Sequence, residues 1–174
     1  MMTPMRALLA TLATYAVLSC GPDPNADAAK IRINELMPAN TSTIVDENGV
    51  YDDWVELYNG GSKEVDLEGY YMSDTSSDYF QRRLPAGLKI GADSVLMLWA
   101  DGSISGGILH LPFKLSSVGE DIYLTSPDGK QIDSYQWTSA VADQSFARFP
   151  DGTGAFIVCA SPTPNAKNGA ACGQ

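Results

Sequence analysis

Apolar and polar residues alternate with period two at several places along this chain, the signature of strands with one buried face. The clearest stretch is Asp53-Trp54-Val55-Glu56-Leu57-Tyr58. Val55 and Leu57 fall on one face, and Trp54, Glu56 and Tyr58 on the other. Asn59-Gly60-Gly61-Ser62 follows with turn residues, and a second strand starts near Glu64, so the stretch reads as a hairpin. Ahead of it, residues 31–37 form a strand whose alternation is imperfect, with Ile31, Ile33 and Glu35 set against Arg32, Asn34 and Leu36. Pro38 stops it, and residues 39–51 are a polar loop. Residues 70–74 make a further strand. Ser94 to Ala100 is almost continuously apolar and reads as a central strand. Residues 108–115 are broken by Pro112 and read as an edge. Residues 122–125, 131–137, 145–149 and 156–159 complete the series. Short strands, turn signals roughly every ten residues and no amphipathic helix predict an all-β antiparallel sandwich or barrel.

The first nineteen residues stand outside this pattern. Arg6 and the α-amino group precede an apolar run over residues 7–18. That run is too short to span a bilayer and long enough for the core of a signal peptide. Val17-Leu18-Ser19-Cys20 resembles the lipobox of bacterial lipoproteins. The resemblance implies cleavage before Cys20, a lipid on Cys20 and an exported chain anchored in the cell envelope. Gly21 rather than Asp after the cysteine implies the outer membrane. The organisation expected is a leader over 1–19, a flexible tether over 20–30, one domain over 31–168 and a short tail over 169–174. Asn40-Thr41-Ser42 fits the N-glycosylation pattern, but in such a chain it reads as chance.

Of three cysteines, lipidation of Cys20 leaves Cys159 and Cys172, an even pair in an oxidising compartment. Their disulfide would pin the C-terminus to the last strand and contribute about 3 kcal/mol. No CxxC or Cys/His cluster suggests zinc. The formal net charge of −10 argues against nucleic acid and against a polybasic membrane patch.

Catalytic signals are sparse. His110 is the only histidine, and Gly102-Ser103-Ile104-Ser105-Gly106 is no nucleophile elbow, since Ile104 takes the central place. The acids are more suggestive. Asp46, Glu47, Asp52, Asp53 and Glu56 crowd one stretch, with Glu35 and Asp74 brought near by the sandwich. Glu35, Asp52, Asp53, Glu56 and Asp74 are the expected calcium ligands, because calcium takes six to eight oxygens. The alternative is a solvated acidic loop, or Glu56 paired with Arg32 or Arg148. No other cofactor is expected. Tyr51, Tyr79 and Phe80 stand in polar loops and form either a contact patch or a cover for the end of the core.

A wider resemblance joins these pieces. Ile33-Asn34-Glu35-Leu36-Met37-Pro38, Asp53-Trp54-Val55-Glu56-Leu57-Tyr58-Asn59 and Val65-Asp66-Leu67-Glu68-Gly69-Tyr70 occur in order. Leu84-Pro85-Ala86-Gly87, Trp99-Ala100-Asp101, Phe113-Lys114-Leu115-Ser116 and Ser145-Phe146-Ala147-Arg148-Phe149-Pro150-Asp151-Gly152 follow. The sequence resembles a bacterial lamin-tail domain, the module also found in the tail of nuclear lamins. The resemblance implies an immunoglobulin-like β-sandwich that binds or tethers rather than catalyses. The function expected is a lipid-anchored envelope module holding a protein or a glycan. The alternatives are a structural surface lipoprotein without a specific ligand, and a metal-dependent hydrolase accessory.

Overall fold

The computed structural model describes residues 30–169 and Cys172. The leader, Cys20 and nearly all of the tether therefore lie outside the described residues. Within them the chain forms eleven strands and no α-helix. The strands are β1 (Ile31–Met37), β2 (Asp53–Asn59), β3 (Val65–Asp66), β4 (Tyr71–Ser73), β5 (Arg82–Arg83), β6 (Lys89–Ile90), β7 (Ser94–Ala100), β8 (Glu120–Thr125), β9 (Gln131–Trp137), β10 (Ser145–Phe149) and β11 (Ala155–Cys159). A five-stranded sheet runs β11-β10-β1-β2-β7, and a four-stranded sheet runs β5-β4-β8-β9. β3 and β6 form a small third ladder. All strand pairs are antiparallel. The result is an all-β immunoglobulin-like sandwich. Its core takes Ile31, Ile33, Leu36, Val55, Leu57 and Leu98 from the larger sheet and Met72, Ile122, Leu124 and Trp137 from the smaller.

β1 departs from strict alternation because the register shifts between Ile33 and Glu35. The extra residue moves Leu36 onto the core face with Ile31 and Ile33, and sends Glu35 and Met37 to the outer face. This reverses the faces expected for Glu35 and Leu36. The bulge also ties the sheets together. Ile33 N donates to Asp133 Oδ2 at 2.9 Å, and Arg148 Nε donates to Ile33 O at 2.8 Å. Arg148 and Asp133 are themselves paired at 2.8 Å.

The expected hairpin does not form. β2 pairs with β1 and β7, whereas β3 pairs with β6. Asn59 directs the exit, its Nδ2 donating to Lys63 O, Ile90 O and Gly91 O while its Oδ1 accepts from Gly61 N. One side chain thus replaces the turn hydrogen bonds and carries the chain into another ladder.

β7 lies at the end of its sheet rather than in the middle. Its apolar run reflects two covered faces. Leu98 and Ala100 enter the core, while Met97 and Trp99 join Met37 and Trp54 in an outer cluster packed by Ile44 and Leu109. The segment 108–115, expected as an edge strand, forms no strand, because Pro112 limits its pairing, but it lies along this edge through Trp99 N to Leu109 O and Leu111 N to Trp99 O, both 2.8 Å.

Candidate functional site

The four-stranded sheet carries the exposed aromatic residues. Its register pairs Tyr71 with Thr125 and Ser73 with Tyr123, which puts Tyr71 and Tyr123 on the face away from Met72 and Leu124. The loop after β4 folds back over that face. Ser73 Oγ donates to Thr75 O at 3.0 Å and to Asp78 O at 2.7 Å, and Phe80 N donates to Asp78 Oδ1 at 2.9 Å. Tyr79 then meets Tyr123 edge to face at 4.8 Å, and Phe80 meets Tyr71 at 5.0 Å. Even so, Tyr79 stays 36 % exposed and Phe80 51 %. Tyr123 Oη donates to Asp121 Oδ2 at 3.1 Å, so an acid borders the patch. The structure therefore brings Tyr79 and Phe80 together. Tyr51 is exposed too, but it stands in the loop entering β2, on the other sheet.

The five expected calcium ligands do not make one shell. Glu35 and Glu56 are register partners on β1 and β2, both fully buried. Asp53 accepts from Asn40 N at 3.3 Å, Asp52 is raised by burial and then by the charge of Asp101, and Asp74 lies near Glu120 on the other sheet. Among the described residues, one His/Cys/Asp/Glu group lies within metal-ligand reach: Glu35, Cys159 and Cys172. Its two sulfurs are bonded to each other as the expected disulfide, with Cα atoms 4.4 Å apart. The set divides because the bulge at Asn34 places Glu35 beside Glu56 on the outer face. Asp53 instead begins β2 beside Asn40.

What covers the two glutamates is the segment after β11. Glu35 Oε1 accepts from Ser145 Oγ and Thr163 N, and Glu35 Oε2 from Thr163 Oγ1. Glu56 Oε2 accepts from Asn165 N at 2.8 Å, while Glu56 Oε1 has no partner. Asn168 fastens the same arm, its Nδ2 donating to Asn34 O and Arg148 O. Burial, and then the facing charge of Glu35, push Glu56 up to about 8. Burial also raises Glu35 against the hydrogen bonds from Ser145 and Thr163. Arg148, one of the arginines expected to pair with Glu56, is committed to Asp133 instead. The pair therefore keeps a proton at neutral pH.

His110 is 1 % exposed and bridges Asp101 Oδ2 at 2.9 Å and Glu47 Oε1 at 2.8 Å. Burial works against its charge, but the two carboxylate hydrogen bonds outweigh it and raise the imidazole. With both ring nitrogens so engaged, the histidine has no free nitrogen to act as a base toward a serine. The Ser103 and Ser105 hydroxyls bond each other at 2.8 Å instead. His110 is a clasp between the 39–52 loop and the 101–111 segment.

Sequence reasoning missed a further hub. Asp143 accepts from the backbone and hydroxyls of Thr41 and Ser42 and from the Thr43 hydroxyl. Asn40 is buried, its Nδ2 donating to Ile44 O and Asp52 O, so the acceptor amide of the sequon is occupied by the fold. Nothing local in the sequence signals a partner a hundred residues away.

Comparison with known families decides the assignment. The profile of the Lamin Tail Domain family matches residues 24–139, well over half of the chain. The chain belongs to the lamin tail domain family. No curated protein matches it. The matched range takes in β1 to β9. β10 nevertheless pairs with β1, and β11 with β10, so the sandwich of this lamin tail domain continues to Cys159. Lamin tail domains are immunoglobulin-like modules of a typically non-catalytic kind.

Proposed function

We propose that this lamin tail domain is a non-catalytic binding and tethering module, held by a lipid on Cys20 in the bacterial cell envelope, at the outer membrane. There it holds an envelope protein or a glycan. The observation that carries this reading is the Tyr79–Phe80 patch. Two large aromatic rings stay half exposed although a filled core lies beneath the same sheet. Their contacts with Tyr71 and Tyr123 order them before any partner arrives, which lowers the entropy cost of binding. Aromatic anchors of this kind suit both protein and sugar surfaces. The two glutamates are covered by the arm after β11, and both ring nitrogens of His110 are engaged.

The test is cross-linking and capture of the tagged lipoprotein from living cells. One dominant protein or glycan should be recovered with the native chain. Its yield should fall at least about tenfold with Tyr79→Ala and Phe80→Ala together, a loss typical of interface anchors. Cys20→Ser should move the chain out of the membrane fraction. Equal recovery with and without the aromatic pair would favour a structural lipoprotein without a specific ligand.

A further inference from the structure

Single apolar side chains on a protein surface need no explanation, but their concentration in one place does. Among the described residues eleven large apolar side chains are exposed, and seven of them lie at one end of the sandwich. Val45, Val50 and Tyr51 stand on the connection between β1 and β2. Ile104, Ile108 and Val118 stand on that between β7 and β8, and Val141 on that between β9 and β10. The register puts these connections side by side. Met37 closes β1 opposite Trp54 near the start of β2, and Asp53 faces Ala100 at the end of β7. Glu120 opens β8 opposite Trp137 at the end of β9. Lys30 lies at the far end, where its carbonyl accepts from Gly60 N.

The three connections are fastened to one another. Asp143, two residues after Val141, accepts from the Thr41 and Ser42 amides, both at 2.8 Å. Ala140 N donates to Ser117 O, next to Val118, at 2.8 Å. His110 Nε2 meets Glu47 Oε1 at 2.8 Å. Asp46 closes the first connection on itself, accepting from Asn48 N at 2.9 Å and Val50 N at 2.8 Å. Loops so held keep their apolar side chains in place before any partner arrives, which lowers the ordering cost of binding. Those side chains nonetheless stay in water, Ile104 at 52 % exposure and Val118 at 83 %.

We propose that this end is a docking surface for a protein segment that presents apolar side chains between lysines or arginines. Charge selects the occupant. Residues 38–52, 101–119 and 138–144 carry five acids against one lysine and one histidine. The histidine is buried, while the Glu47 side chain is 51 % exposed. Such an end repels an anionic lipid surface, and it repels a second copy of this acidic chain. It draws a cationic segment and fixes its register, because complementary charge decides which partner is accepted. The exposed valines, isoleucines and tyrosine then cover the partner's apolar side chains. The surface shares no residue with the Tyr79–Phe80 patch, so either reading can fail without the other.

The experiment uses the full chain carrying Cys20→Ser, so that no lipid competes, and a peptide of alternating leucine and lysine as the probe. Amide exchange across residues 41–51 and 104–111 should slow when the peptide is added. Affinity should fall at least about tenfold with Tyr51→Ser and Ile104→Ser together, the loss expected of interface anchors. Both side chains are about half exposed, so that variant should fold. Val50→Ser with Val118→Ser is a second pair that should act in the same direction. Added salt should weaken the complex, because the acids draw the lysines. A leucine–glutamate peptide should bind at least about tenfold more weakly. Equal binding of the two peptides would overturn the proposal. So would a footprint on the four-stranded sheet that is lost with Tyr79→Ala and Phe80→Ala instead. Phosphatidylglycerol vesicles should not bind, and binding of them that falls with Tyr51→Ser would give this end to a membrane surface and overturn the proposal as well.

Discussion

Two loops are held against the body of the sandwich by carboxylates. Asp143 holds the 41–43 loop, and Glu35 with Glu56 holds the arm that follows β11. The chemistry is alike, since each carboxylate accepts from backbone amides or hydroxyls of the loop it secures. The outcome is opposite. Hydrogen bonds led by those from Thr41 hold the Asp143 carboxyl well below its usual range. Burial and a facing carboxylate instead push Glu56 up to about 8. What differs is the surroundings. Asp143 is met from several sides by donors near solvent. Glu56 has one backbone amide donor, one unpartnered oxygen and a like charge on the neighbouring strand. A carboxylate fastens a loop as an anion only where donors outnumber the costs of desolvation and repulsion.

The disulfide offers the largest test of that contrast. Cys159→Ser with Cys172→Ser frees the arm over Glu56 and should lower stability by about 3 kcal/mol. With the arm loosened, water reaches Glu56 and its pKa should fall back toward an ordinary glutamate. The loss should therefore come with a flatter dependence of melting temperature on pH between 5 and 8. Amide exchange in the 41–43 loop should not change. An unchanged pH profile in the double variant would show that the arm does not control the glutamate.

Glu56→Gln comes next in size. A raised folded pKa makes the neutral form the stabilising one. Its benefit is complete below the unfolded value of 4.5 and is lost as pH rises toward about 8. The native chain should thus weaken from pH 5 to 8 through this group. The substituted amide would stay neutral, keep an oxygen for Asn165 N and offer a donor to Glu35. The variant should gain on the order of 2 kcal/mol at pH 8 and nothing near pH 4. A gain of equal size at both pH values would assign the effect to packing.

How much of this was legible in the chain follows from distance. The β2 faces were readable because Val55, Leu57, Trp54 and Glu56 carry the period themselves. The cysteine pair was readable by counting, and Tyr79 and Phe80 stood out as large rings in a polar run. The bulge at Asn34 was not, since it is stabilised by Asp151, Gly152 and Asn168, all more than a hundred residues away. The same applies to the turn after β2. Asn-Gly-Gly-Ser looks like a hairpin turn, and only the Ile90 and Gly91 carbonyls taken by Asn59 make it a crossing. The acids were seen as a group, but Glu35 and Glu56 differ from the others through a cover that Thr163 and Asn165 supply.

Asp143→Asn gives the smallest effect and the sharpest sign. Asp143 has a depressed folded pKa, so the stability it contributes is present above the ordinary carboxylate value and is lost as pH falls through the folded one. Asparagine keeps one oxygen for the Thr41 and Ser42 amides. It replaces the oxygen that now accepts from the Thr41 and Ser42 hydroxyls, at 2.6 and 2.7 Å, with a donor. The variant should melt a few degrees lower at pH 7, the shift expected from losing exposed charge-assisted hydrogen bonds. That gap should close as pH falls, because acid neutralises the native carboxylate as well. Glu56→Gln should diverge from the native chain in the other direction, as pH rises. A gap for Asp143→Asn that stays constant down to pH 2 would mean that hydrogen-bond geometry, and not the charge, holds the 41–43 loop.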